Sequence, residues 1–273
     1  MTSDWRADLA RLEQAALIDT TRPKAVRVAD FLDGGQDNFE ADRKAARALL
    51  ATAPVIGMIA PAWRGFTRRV LRYLVREAGV RQFLFVGMTL TAANAHEVVW
   101  SLDPDCRIVF ADDDPLVLAH ARAHTRPGAS GAAGYVPASL HYPGAIIAGA
   151  RETLDFGQPI AVILFFVLAF IDDTAAAARI VSSLAQALPS GSYVALHHLA
   201  GDLNPALALA ARRWNQQSPQ KITLRSRADV ESLVAALEPV EPGLALVDDW
   251  RPSSDTPRPT SVIPLYGVVA RKP

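Results

Sequence analysis

The sequence of 273 residues is poor in two features that would each indicate a particular class of protein. It has one cysteine, Cys106, so no disulfide can form within the chain, as is typical of proteins from a reducing cytoplasm. It also has no excess of either charge, since 28 basic and 28 acidic residues give a formal net charge of +0. Such a chain has no long-range field towards nucleic acid or an anionic membrane, and we expect neither as a partner.

Long hydrophobic runs are absent as well. The longest apolar run, Ile160–Ile171, is shorter than the roughly 20 residues that a spanning helix needs. The first eight residues, Met1–Asp8, mix charges and lack the apolar stretch of a signal peptide. Because 50% of the residues are nevertheless hydrophobic, we predict a folded, soluble, cytoplasmic protein.

The apolar pattern changes once along the chain, at Gly79. Residues 1–80 have helical spacing, which predicts a first helix around residues 9–17, a second that ends near Ala53 and a third over residues 54–78. Residues 81–273 alternate short apolar runs with helical segments. The strand candidates are Gln82–Val86, Arg107–Ala111, Gly134–Pro137, Ile160–Leu168, Ser192–His197, Leu244–Val247 and Val262–Ala270. This order predicts a doubly wound α/β domain with a mostly parallel sheet, helices on both faces and an antiparallel hairpin at one edge.

Ligands of an open parallel sheet bind beyond the carboxyl ends of its strands. The first predicted strand ends at Gly87 and the second at Asp112, which is placed to accept hydrogen bonds from both hydroxyls of a ribose. Asp113 and Asp114 are more simply explained as caps of the helix that Pro115 begins. The carboxyl edge is therefore the predicted site.

Several familiar motifs are missing from this edge. Gly87 is not followed by the further glycines of G-x-G-x-x-G, which argues against NAD and FAD, and no histidines have metal-ligand spacing. His197 and His198 close the fifth strand, where only one of two neighbouring side chains can face the site. The one that does is a candidate general base, and the alternative is a structural, hydrogen-bonded role for each.

A polar turn interrupts the helical lobe. Gly34 and Gly35 permit positive φ and close backbone approach, and Asp37, Asn38 and Phe39 follow them. The turn either contacts a ligand or joins two helices, with Asp37 or Asn38 as the cap of the second.

A resemblance to a known family extends over nearly the whole chain. The stretches 34–39 and 41–43, Gly-Gly-Gln-Asp-Asn-Phe and Ala-Asp-Arg, resemble the N-terminal signature of a bacterial S-adenosylmethionine-dependent methyltransferase family long catalogued as a domain of unknown function. The resemblance implies a class I methyltransferase fold, Rossmann-like, with the helical lobe as a lid. The cofactor-binding residues that it implies are Gly87, Thr89, Asn94, His96, Asp112, Asp113, Ser139 and Leu140, with Asp37, Asn38 and Phe39 from the lid.

The chain departs from the family pattern at positions expected to touch the cofactor. Phe85 replaces an Asp near the methionine amine, Thr89 replaces a Gly, and Ser139 replaces an Asp that accepts from the adenine. In the lid, Ala29 replaces a Tyr. Each lost charge-assisted hydrogen bond costs about 1.5–3 kcal/mol. Two or three such losses predict binding weaker by roughly two to five decades unless other contacts compensate.

Two enzymatic functions follow from these features. The first is S-adenosylmethionine-dependent methyl transfer to a small molecule of specialised metabolism, with His197 or His198 as the base. The second is cyclisation, substitution or elimination by a methyltransferase fold that has lost the cofactor, with an apolar pocket formed by Phe85, Tyr142 and Phe166. A homodimer or a heteromeric partner is compatible with either function. A regulatory or scaffold role without catalysis is a third reading.

Overall fold

The computed structural model describes residues 19–87, 95–125, 132–252 and 261–273. The helix predicted around residues 9–17 lies outside these ranges. The helices are α1 (Ala25–Leu32), α2 (Glu40–Thr52), α3 (Ile56–Arg76), α4 (Ala95–Leu102), α5 (Pro115–His124), α6 (Pro143–Ala150), α7 (Thr174–Ala187), α8 (Pro205–Gln217) and α9 (Arg227–Leu233). The strands are β1 (Gln82–Val86), β2 (Arg107–Asp112), β3 (Ala132–Pro137), β4 (Ala161–Phe165), β5 (Tyr193–Leu199), β6 (Glu238–Pro239), β7 (Ala245–Leu246) and β8 (Leu265–Arg271).

Within the described ranges the strands form one 8-stranded sheet in the order β3-β2-β1-β4-β5-β8-β6, with β7 also paired to β8. Strands β1 to β5 run parallel, and β8 runs antiparallel to β5, β6 and β7. This topology confirms the predicted class I methyltransferase-like fold with its antiparallel C-terminal edge. The strand order reverses between β1 and β4, so a crevice opens at their carboxyl ends.

Several strand bounds differ from the prediction by one to three residues, β8 for example beginning at Leu265 rather than Val262, and two differences have a clear cause. The fourth strand ends at Phe165 rather than Leu168, because Phe166 has a φ of 67° and a 3₁₀ turn, Val167–Phe170, follows it. The apolar run continues through that turn, so the sequence pattern alone predicted a longer strand. Strand β6 was not predicted, since Glu238 and Pro239 carry no apolar pattern and are exposed.

Both faces of the sheet are covered by helices. Phe66, Leu71 and Leu74 of α3 share a core with the side chains of α4, α5 and one sheet face, and α6, α7 and α9 cover the other face. Helices α1 and α2 instead pack with α8 in a smaller cluster around Ala46 and Trp214. Helix α3 thus belongs to the main core although it lies within residues 1–80, and the division of the chain at residue 80 stays a prediction.

In the part of the chain that the structure describes, no single helix has both the length and the apolarity to cross a membrane. Helices α2 and α3 have the required length and apolarity only when they are counted as one span, and the chain bends by 99° between them.

Candidate functional site

A polar cleft of about 910 Å³ lies beyond the carboxyl ends of β1, β2 and β3. Its lining includes the predicted cofactor residues Gly87, Asp112, Asp113, Ser139 and Leu140. These residues come from three separate turns, and the parallel order of the strands brings the turns to one edge. The structure therefore groups the residues that the sequence placed after the first three strands.

The three consecutive acids of the polar cleft have different surroundings. Asp114 Oδ1 accepts the Leu116 N–H at 2.9 Å and caps α5, and its Oδ2 lies 3.3 Å from Lys24 Nζ just before α1. Asp112 Oδ1 accepts the Asp114 N–H at 2.8 Å, so the turn holds the half-buried Asp112 at the end of β2. Asp113 is exposed. The cap assignment is right for Asp114, and Asp112 has the position expected of a ribose ligand.

A second space, the apolar cavity, has a volume of about 140 Å³ and lies between the sheet edge and helices α1, α2, α3 and α8. Val28, Leu32 and Trp63 form part of its helical wall, and Phe85 and Ile163 part of its strand wall. Ala25, Gly87, Phe165 and Phe166 line both spaces. The apolar cavity and the polar cleft are therefore adjoining.

Phe166 forms part of the boundary between the two spaces in a conformation that a side chain rarely adopts. Its φ is 67°, and its N–H donates to the His197 carbonyl at 3.3 Å. A non-glycine residue in this region costs of the order of 1–3 kcal/mol and is found preferentially at functional sites. Its ring meets Phe170 edge-on, with 5.4 Å between the ring centroids, which holds it in place.

His197 lines the apolar cavity and is only 3% exposed. Its ring stacks on Phe165 at a centroid distance of 4.9 Å, and Trp63 lies at 6.1 Å. Burial lowers the pKa of His197 to about 3, so the imidazole is neutral at pH 7. Its Nδ1 has no hydrogen-bond partner among the described residues.

His198 points to the opposite face of the sheet and lines neither space. Its Nε2 lies 2.7 Å from Nη1 of Arg225, and burial lowers the pKa of His198 to about 4. A neutral Nε2 that accepts from a guanidinium is a structural hydrogen bond. The structure thus separates the two histidines that the sequence paired as candidate bases, and the alternation of side chains along β5 is the reason.

Arg225 is a residue that the sequence analysis missed. Its guanidinium is buried and donates to the carbonyls of Leu168 and Ile171 at 2.7 Å and 2.6 Å, and its Nε to Thr174 Oγ1 at 3.2 Å. These bonds anchor the turn that follows Phe166. A single arginine between two helices has no spacing signal, so no sequence pattern could have found it.

The lid signature makes its contacts within the protein. Asn38 Nδ2 donates to the buried Asp30 at 2.8 Å, and a Cβ on Gly35 would lie 2.0 Å from Asp30 Oδ1. The Phe39 N–H donates to Asp42 Oδ2 at 2.9 Å. Phe39 therefore occupies the N-cap position of α2 and Asp42 supplies the cap, which corrects the expected capping by Asp37 or Asn38. None of these signature residues lines the cleft or the cavity.

The remaining predicted residues lie elsewhere. Asp37 Oδ2 is 3.3 Å from His120 Nδ1 on α5, and His96 is buried against Trp100, outside both spaces. Thr89 and Asn94 lie outside the described residues. Tyr142, expected in the apolar pocket, is 69% exposed. Within the described ranges no group of acids, histidines or cysteines could hold a metal ion.

Comparison with known proteins identifies relatives over almost the full length. The model of a family described as S-adenosyl methyltransferase matches residues 11–273. A DUF574 family protein from Streptomyces avermitilis is 34% identical, with 94% of this chain and 100% of that chain covered and a TM-score of 0.88. A candidate methyltransferase from Thermobifida fusca is 33% identical, with 93% and 96% covered and a TM-score of 0.84.

A more distant structure shares the fold alone. The N-methyltransferase NodS from Bradyrhizobium japonicum, in complex with S-adenosyl-L-homocysteine, is 16% identical, with 78% of this chain and 88% of that chain covered and a TM-score of 0.51. No protein of curated function matches the sequence significantly.

Proposed function

The chain belongs to the S-adenosyl methyltransferase family, and from that premise we propose that it transfers a methyl group from S-adenosylmethionine to a small molecule. The observation that carries the proposal is the adjoining pair of spaces at the carboxyl edge of the sheet. The polar cleft contains the acid that suits a ribose, and the apolar cavity opens from the same wall at Gly87 and Phe166. A cofactor in the first and an acceptor in the second would meet at that wall.

The side chains of the polar cleft fit the cofactor. The Asp112 carboxylate would accept from the ribose hydroxyls, while Ser139 and Leu140 after β3 would border the adenine. When bound, S-adenosylmethionine supplies a sulfonium methyl group that is open to in-line displacement. Lys24, just before α1, pairs with Asp114, and both residues line this cleft.

The chain's own contribution at the acceptor is positioning and the exclusion of water. Phe165, Phe166 and Ile163 line the apolar cavity and have hydrocarbon side chains. Because burial lowers the pKa of His197 to about 3, its neutral ring is suited to hold an acceptor by a hydrogen bond and is a weak acceptor of a proton. We therefore assign His197 to orientation, and the catalytic base predicted from the sequence stays a prediction.

One observation favours a second function. The ring of Phe85, where the family pattern has an Asp near the methionine amine, stacks on Phe110 with 5.7 Å between centroids and lines the apolar cavity. Under this second proposal the fold no longer uses the cofactor and catalyses cyclisation, substitution or elimination of an apolar substrate. Specialised metabolism, a cytoplasmic location and a homodimeric or heteromeric assembly stay predictions under both.

Titration calorimetry with S-adenosylmethionine and S-adenosylhomocysteine separates the two functions. Methyl transfer requires binding below about 100 μM, an ordinary cofactor affinity, whereas silence at millimolar ligand would reject it in favour of the second function. Asp112→Asn should weaken binding about 10- to 100-fold, because a charge-assisted hydrogen bond is worth about 1.5–3 kcal/mol.

Asp105→Asn is the matched control for that variant. Asp105 is exposed and lies just before the opposite, amino end of β2, so its substitution makes the same change of charge away from the cleft. The affinity of the Asp105→Asn variant for S-adenosylmethionine should equal that of the wild type. Equal affinity in Asp112→Asn as well would remove Asp112 from the site.

A further inference from the structure

We infer that the acceptor is an uncharged molecule of about one aromatic ring with a single hydrogen-bonding group, and that His197 recognises that group. The inference rests on the proposed function, because it names the class of molecule that the apolar cavity would hold. It is carried by the size of the cavity, by the absence of charge in its lining and by an unpartnered ring nitrogen.

The volume of the apolar cavity sets the size of the acceptor. A cavity of roughly 150 Å³ lined by Leu, Ile and Phe accommodates benzene, and the apolar cavity measures about 140 Å³. Trp63, Phe85, Phe165 and Trp214 contribute aromatic rings to its lining, and such rings favour a flat aromatic guest. A second fused ring would exceed this volume and would have to extend into the adjoining polar cleft.

The lining of the apolar cavity excludes a charged acceptor. Among the described residues that form it there is no Lys, Arg, Asp or Glu. A carboxylate or an ammonium group would therefore lose its hydration without gaining a partner, which costs far more than an uncharged group does. The charged side chains of the site, such as Lys24, Lys221 and Asp112, line the polar cleft instead.

His197 is the one titratable side chain in this lining as described. Its buried Nδ1 has no partner among the described residues, and an unsatisfied buried polar atom is costly. Nδ1 is covered in this structure, so the ring of His197 would have to turn for Nδ1 to meet a hydroxyl or N–H on the acceptor. The ring is neutral at pH 7, since burial lowers the pKa of His197 to about 3, so it would pair with an uncharged group without creating a buried charge.

Ala29 provides a way to close the cavity from the lid side. It lies on α1, is half-buried and lines the cavity. Ala29→Tyr, which introduces the residue of the family pattern, would place a phenol ring into the space that we assign to the acceptor. Ala48→Tyr is the matched control, because Ala48 lies on the exposed side of α2 and lines neither space.

The test is calorimetry with phenol as the probe, with and without S-adenosylhomocysteine, against benzoate and benzylammonium as charged probes of similar size. We expect phenol to bind at least tenfold more tightly than either charged probe. Ala29→Tyr should weaken phenol binding at least tenfold, while Ala48→Tyr leaves it unchanged. Far-UV circular dichroism establishes that each variant is folded.

His197→Phe tests the hydrogen bond between the imidazole and the acceptor separately from the fit of the acceptor's ring in the cavity. This variant should lower the preference for phenol over toluene about tenfold while toluene still binds, since the new ring retains the aromatic contacts. Any one of four results would overturn the inference. The charged probes could bind as tightly as phenol, or phenol could fail to bind under either condition. Alternatively, Ala29→Tyr could leave phenol binding unaffected, or His197→Phe could leave the preference for phenol over toluene unchanged. A protein that binds S-adenosylmethionine but no phenol would keep the proposed function and lose only this acceptor class, and the reverse result would reject only the use of the cofactor.

Discussion

The polar cleft and the apolar cavity share part of one wall and differ in charge: the lining of the cleft includes acids and lysines, and the described lining of the cavity includes none. Asp112 and Asp113 lie beyond the end of a strand, in the larger space. Phe165 and His197 are the last paired residues of neighbouring strands, and their side chains are covered by α3. Strands of the same sheet thus end in charged surroundings at β2 and in apolar surroundings at β4 and β5. The difference teaches that one edge of the sheet forms a charged space and an uncharged space side by side, with Gly87 and Phe166 at their border.

The largest expected effect on stability comes from replacing Arg225, which holds the turn after Phe166. Arg225→Met should lower the free energy of unfolding by about 3–5 kcal/mol, because the carbonyls of Leu168 and Ile171 and the ring of His198 would lose a buried donor. Urea unfolding measures the change.

Arg179→Met is the control for this prediction. Arg179 is 71% exposed, and its ion pair with Asp173, at 3.6 Å, lies at the surface of α7. Its replacement should alter stability by less than about 1 kcal/mol. Similar losses in both variants would mean that the buried bonds of Arg225 do not hold the turn after Phe166.

A smaller effect is expected at Gly87, the other residue at the border. Gly87→Ala should lower the free energy of unfolding by about 2–3 kcal/mol, since φ is 66° and the new Cβ would lie 2.0 Å from a methyl group of Val167. Gly144→Ala is the control, because nothing lies within 4 Å of its Cβ position in α6, and it should be neutral or slightly stabilising. A neutral Gly87→Ala variant would show that Val167 moves freely and that the border is not tightly packed.

The smallest expected effect is on the pH dependence of stability, and it concerns His197 of the apolar cavity and its neighbour His198. The folded-state pKa values of His197 and His198 are lowered to about 3 and about 4, against 6.5 for an exposed histidine. Below pH 6.5 the unfolded chain therefore binds protons that the folded chain does not, and stability falls as the pH falls. Each histidine contributes up to about 1.4 kcal/mol per pH unit until its folded pKa is reached.

His197→Phe removes one of these two contributions. Between pH 7.5 and pH 5 the variant should lose about 2 kcal/mol less stability than the wild type, as measured by urea unfolding at both pH values. Parallel losses in the two proteins would show that His197 is not buried in its neutral form.

The elements of the sheet were predictable, and the contacts within the site were only partly so. Strand β1 has the predicted bounds because burial on both faces requires an uninterrupted apolar run. Asp112 lies at the carboxyl end of β2, as predicted, because the apolar run of such a strand shows where the strand ends, and its role towards a ribose stays a prediction. The lid signature was expected at the ligand, but Asn38 bonds Asp30 and Asp42 caps α2. An Asp or Asn looks the same in the sequence whether its partner is a ligand or a neighbouring turn.

The amino-acid order was sufficient to predict the alternation of strands and helices, the edge of the sheet at which the two spaces open and the family resemblance, since each depends on local residue spacing. It was not sufficient to show that His197 would enter an apolar cavity while His198 is held by Arg225, or that Phe166 would adopt a positive φ beside both spaces. Those outcomes depend on residues that are distant in the chain and become neighbours when the sheet and its covering helices pack together. The burial of each histidine, which lowers its pKa, arises only from that packing.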